Sequence, residues 1–113
     1  MMAPGGGCRI PSVRLAARWW DRASGLLALP QLRRGEALLI DSCRAVHTIG
    51  MRYPIDIIFI DSAWSIVRIV NQLPSFRFRA SRAATRTLEM LSGEASRLGL
   101  TLGQRLIWND AAK

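Results

Sequence analysis

The residues able to do chemistry crowd into one stretch of the chain, from Asp41 to Asp61. It holds Asp41, Cys43, Arg44, His47, Thr48, Arg52, Tyr53, Asp56 and Asp61, including the only histidine, the only tyrosine and one of the two cysteines. Asp56 stands inside a run of branched apolar residues, where a carboxylate is costly unless paired. Structurally, Arg44, Arg52 or a backbone N–H would satisfy it and fix the turn at Pro54. Functionally, it would hold a ligand or orient His47. An imidazole titrates near neutral pH, but His47 becomes a general base only if Asp56 or Asp41 orients it beside a substrate. Its structural reading is a packed ring with one satisfied nitrogen.

Cys43 and His47 are four apart, a spacing that suits metal ligation from one helix face. A site needs at least three protein ligands, and there is no second histidine. Cys8 and Asp41 would have to complete the set, so no metal is expected. Cys43 as a nucleophile with His47 as its base is an equally thin signal, and a buried thiol is the ordinary role. Gly5-Gly6-Gly7 follows no strand and makes no phosphate loop, so no cofactor is expected. The candidate ligand-binding set is Arg44, His47, Arg52 and Asp56.

These residues must be positioned by one domain. The chain has 113 residues, half of them apolar and 21% charged, a globular composition rather than a disordered one. A chain of this size buries about two-thirds of its unfolded surface, enough for a core without staples. No apolar run reaches the roughly 18 residues of a membrane helix. Residues 1–8 read as a flexible tail and 9–110 as a single domain. Met1 to Cys8 lacks an apolar leader, so a cytoplasmic location is expected; an upstream start would make the protein envelope-associated.

The apolar pattern predicts a mainly β, α+β domain, a small sandwich or barrel with one or two short helices. Strands are expected over Arg9–Ala16, with Pro11 at an edge, Ala37–Ile40 and Ile55–Ile60. Ser65–Val70 forms a hairpin with the last of these. Ala45–Met51 is a strand or ordered loop. Trp19–Leu29 has helical spacing closed by Pro30. Phe76 and Phe78 alternate with Arg77 and Arg79, a half-buried strand or extended loop. Thr85–Met90 is read as a strand over a competing helical pattern. Ser92 would cap a short helix through Leu98, with Gly99 as its left-handed stop. Arg105–Trp108 is the expected last strand. Trp64, in the hairpin turn, is a candidate contact residue, as is one of Trp19 and Trp20.

The formal net charge is +8, and 15 of the 16 basic residues are arginine. Arginine suits phosphate and other polyanions. A bias of the genome towards Arg and Ala codons gives the same composition, and most arginines are scattered among apolar residues. Arg33-Arg34 and the stretch Arg77, Arg79, Arg82, Arg86 are the only clusters. A nucleic-acid binder more often shows a denser stripe with exposed aromatics beside it.

Several spaced motifs resemble the bacterial and archaeal DUF192 family. Arg22-Ala23-Ser24-Gly25-Leu26-Leu27 is similar to the family's Arg-x-x-Gly-Leu-Met segment, and Ala37–Ile40 to its short apolar strand. Pro54-Ile55-Asp56-Ile57-Ile58-Phe59-Ile60-Asp61 is similar to its most specific signature. Leu88-Glu89, Gly93, Gly99-Leu100 and Gly103-Gln104 follow in the family's order. The resemblance covers about residues 12–108 and implies a mostly β, sandwich-like fold with no settled reaction. Val46-His47-Thr48-Ile49-Gly50-Met51 departs from the family's Phe-Trp-Met-Lys-Asn-Thr. A family site using that Lys and Asn would be lost here. Gln104 replaces an Asp.

The sequence therefore points to a non-catalytic binding or accessory module for a small anionic ligand or acidic peptide, with an envelope- or secretion-linked role by family analogy. One alternative is a hydrolytic or acid–base enzyme using His47 and Asp56. Another is weak nucleic-acid binding through Arg77–Arg86.

Overall fold

The computed structural model describes residues 12–16, 32–41, 44–48 and 53–107. The expected tail over 1–8, the Trp19–Leu29 helix, Cys8, Cys43, Arg52 and Trp108 lie outside the described residues. The elements run β1 (Ser12–Ala16), β2 (Glu36–Asp41), β3 (Ala45–His47), β4 (Ile55–Ile60), β5 (Ile66–Leu73), β6 (Phe78–Ala80), β7 (Arg86–Leu91) and a short helix α1 (Glu94–Arg97).

Five strands form one sheet in the order β1-β2-β7-β4-β5, and β3 and β6 form a separate two-stranded ribbon. β1 runs parallel to β2, and the other pairings are antiparallel. The architecture is the mainly β layer arrangement that the alternation predicts, without closure into a barrel.

The sheet is covered on both faces, which is why β4 is an unbroken apolar run apart from Asp56. All six of its residues are buried. Successive side chains leave opposite faces. Ile58 and Ile60 join Leu39, Leu88, Met90, Ala95, Leu100 and Leu106 on the α1 side. Ile57 and Phe59 join Leu38, Ile40, Leu73, Ala84 and Val46 on the other. Val46 thus ties the small ribbon to the large sheet. Each fully buried branched side chain contributes about 1.5–3 kcal/mol. The strand reading of residues 85–90 holds because Leu88 and Met90 face one cluster while Thr87 and Glu89, also buried, leave the other face.

Four expectations need correction. The cap of α1 is Gly93 at φ 91°, with no side-chain cap bond of its own, rather than Ser92. Phe76 and Phe78 are not half-buried: they are 69% and 63% exposed. The last strand shrinks, among the described residues, to a bridge between Ser65 and Arg105 and a bond from Leu106 N to Trp64 O. Trp64 is not an exposed contact residue. It packs partly buried on the core, and the Arg86 guanidinium lies 4.0 Å from its ring centroid, within cation–π range.

Gly99 does stop the helix. It sits at φ 71°; its N–H donates to Ser96 O and that of Leu100 to Ala95 O, the paired bonds of a Schellman motif. Leu100 and Ala95 share the core beneath it.

Candidate anion-binding surface

Asp56 is fully buried, and among the described residues its carboxylate is held by backbone N–H groups. Oδ1 accepts the N–H of Gln72 at 2.8 Å. Oδ2 accepts those of Gly93 at 3.0 Å and Ala95 at 2.9 Å. The β4–β5 register shifts between Ile55 and Ile57, and Gln72 there adopts φ 52°. That bulge turns its N–H towards β4. Gly93 has no side chain to satisfy the first donors of α1, so Asp56 does so from a neighbouring strand. The partners among the described residues are amides of β5 and the β7–α1 junction, not Arg44 or the turn at Pro54; Arg52 lies outside the described residues. Three of the roughly four acceptor sites of this carboxylate are thus used by amides.

A second buried carboxylate, Glu94, accepts from Gly35 N and is gripped by Arg97 through both its oxygens. The hydrogen bonds from Arg97 lower its pKa most, against the opposing effect of burial, with further help from Gly35 N–H. Asp61 caps its own hairpin turn through Ala63 N and Ser65 N. These acids are all committed to holding the fold.

The basic residues gather elsewhere. Residues 62–88 carry five arginines and no Asp or Glu. Four of them surround the β3–β6 ribbon. Arg77 and Arg82 are exposed and Arg79 half-buried. Arg68 reaches over from β5 to donate to Ala80 O. Arg44 is exposed at the start of β3, and its carbonyl accepts Ser81 N at 2.9 Å, which sets it beside Arg82. Arg77 and Arg79 each place one N–H on a neighbouring carbonyl, Phe76 O and Phe78 O. A guanidinium has five such donors, and the described residues take up one from each.

Thr48 builds the ribbon's end. It is fully buried; its hydroxyl donates to Pro74 O at 2.7 Å and accepts Arg77 N at 2.8 Å. Its backbone adds N–H to Arg77 O and accepts Phe76 N. This clamp fixes the loop in which Phe76 adopts φ 62°, a conformation costly for a bulky residue. His47 lies opposite Phe78 in the ribbon's register. Its backbone is part of β3, and its side chain lies outside the described residues, as does Arg52. Of the four sequence candidates, the structure thus places Arg44 and the His47 backbone on the ribbon, and Asp56 in the opposite layer.

The family model named DUF192, described as an uncharacterised ACR, matches residues 2–108. The chain belongs to the DUF192 family. No curated protein sequence matches it significantly. Two solved structures share its fold. One is a protein of unknown function from Novosphingobium aromaticivorans, with TM-score 0.74 and 21% identity, covering 85% of this chain and 74% of that one. The other, from Sinorhizobium meliloti, is described as a "putative transcription regulator"; it has TM-score 0.72 and 26% identity, covering 82% of this chain and 78% of that one. Among the described residues of this DUF192 domain, no helix is long and apolar enough to cross a membrane, and no group of three His, Cys, Asp or Glu could hold a metal.

Sequence reasoning missed that Phe76 and Phe78 stand exposed beside these arginines and that buried Thr48 braces their loop. The Phe-Arg-Phe-Arg alternation was the available signal. It marks two faces but does not say which one meets solvent.

Proposed function

We propose that this DUF192 domain is a non-catalytic binding module for an anionic partner, engaged on the β3–β6 ribbon. Arg44, Arg77, Arg79 and Arg82 make the contact, together with His47, whose backbone belongs to β3, and the sequence candidate Arg52. The observation that carries the reading is the separation of charge. The described acids of the hairpin turn and the α1 region are spent on internal hydrogen bonds, whereas the ribbon presents guanidinium groups with no acid in its own strands. Asp56 contributes by holding the bulge and helix, not by touching the ligand. The description of the Sinorhizobium relative as a "putative transcription regulator" accords with an anionic partner.

The test is titration calorimetry with inorganic polyphosphate, which offers charge and no other recognition feature. Saturable binding at about 50 mM salt, weakened by Arg→Gln at 44, 77, 79 and 82 together, supports the reading. Absence of binding, or binding indifferent to those four changes, overturns it.

A further inference from the structure

Phe76 and Phe78 are large apolar side chains set among these arginines and left open to water. We infer that the ribbon binds single-stranded nucleic acid, with the two phenyl rings stacking on unpaired bases and the interleaved arginines meeting the phosphates. This rests on the anionic reading above and adds the chemical class of the partner.

Three observations converge. First, Phe76 is 69% exposed while held at φ 62°. A bulky residue in that region persists only when its surroundings enforce it, and the buried Thr48 hydroxyl does so from both sides of the loop. The fold thus maintains a strained backbone to display an apolar ring. Second, the order Phe76-Arg77-Phe78-Arg79 interleaves ring and cation. The two phenylalanines are two residues apart, so their Cα atoms are separated by at most about 7 Å. A single strand spans that step with adjacent splayed nucleotides, each offering a π-face and a phosphate. Bases in a duplex keep their faces covered, so rings of this kind select unpaired strands. Third, charge complementarity extends past the rings to Arg82 and Arg44. Arg86 is outside this surface, because its guanidinium lies over Trp64 and donates to Asp61 O.

Four arginine–phosphate contacts predict a slope of about −3 for log K against log salt on a single strand, hence about 50-fold weaker binding from 50 to 200 mM. The experiment is fluorescence anisotropy with a labelled twelve-nucleotide oligothymidylate. Competitors are a duplex of equal length, polyphosphate, polyglutamate and vesicles containing anionic lipid. Phe76→Leu and Phe78→Leu are the variants, since leucine keeps apolar bulk at an exposed position and removes the π-face. The inference expects the oligothymidylate to be preferred over every competitor, with that salt slope. Each leucine variant should weaken it at least about fivefold while leaving polyphosphate binding unchanged. If polyphosphate binds but the leucine variants do not affect the oligothymidylate, the nucleic-acid inference fails and the anionic reading stands. Preference for polyglutamate or for vesicles likewise overturns the nucleic-acid inference and leaves the anionic reading in place. If no probe binds at 50 mM salt, both fail.

Discussion

Replacing Asp56 with asparagine isolates what its carboxylate does. The two side chains have nearly the same shape, so no cavity forms. The carboxylate offers acceptors on both oxygens, and the structure uses both: Gln72 N–H on one, Gly93 and Ala95 N–H on the other. An amide has one oxygen and one NH2 group. In its better orientation it keeps Gly93 and Ala95 and turns its NH2 towards the Gln72 N–H. One buried donor pair is then left facing itself, at about 1–3 kcal/mol, and the two surviving bonds lose their charge assistance. The sum is about 2–4 kcal/mol for Asp56→Asn, a large share of the roughly 5–15 kcal/mol that holds a domain of this kind together. For a chain of this length it corresponds to a fall in Tm of about 8–16 °C. Urea unfolding followed by circular dichroism measures the loss, and hydrogen exchange should quicken at the amides of Gln72, Gly93 and Ala95. A variant within about 0.5 kcal/mol of the parent, with those amides still protected, would refute the reasoning.

Thr48→Val keeps the volume of the clamp but removes its hydroxyl bonds to Pro74 O and from Arg77 N. It should cost about 1–3 kcal/mol in urea unfolding and quicken exchange at Arg77 N–H, whereas Thr48→Ser should retain both. Gly99→Ala meets nothing within 4 Å, so only its φ of 71° opposes the methyl. The loss should be about 1–2 kcal/mol, and a neutral result would contradict the left-handed stop. The Glu94 carboxyl has its pKa held below the ordinary value of 4.5, foremost by Arg97. As pH falls, the unfolded chain therefore takes up that proton first. The stability Glu94 contributes is complete above its unfolded pKa and is lost as pH drops through the lowered folded value. Glu94→Gln should flatten that part of the acid limb, and identical acid limbs for parent and variant would show that the pair does not act this way.

Much of the sheet was legible because burial on two faces leaves a plain mark. Ile55 to Ile60 has no polar side to offer apart from Asp56, and its hairpin partner alternates where the partner's edge meets solvent. The 85–90 segment was harder, since its apolar residues fit both periods; two buried faces decide it as a strand. Asp56 was recognisable as a residue needing partners, but their identity was not. They lie 16, 37 and 39 positions away and are backbone amides, which no side-chain pattern records. The choice of Gly93 over Ser92 as the cap follows from the same bond, because a strand supplies the acceptor a serine would have given. The phenylalanines were misread for a related reason. Alternation implies one inward face, yet Phe76 departs from strand geometry under the Thr48 clamp, and the exposed face of β6 carries Phe78.

The surface itself is tested most directly by amide chemical-shift mapping of the 15N-labelled protein as a polyanion is added at low salt. The account predicts shifts concentrated over residues 44–48 and 76–82, with Gly93, Ala95 and the β4 strand silent. Shifts centred on Asp56 and α1, or spread evenly over the molecule, would contradict it.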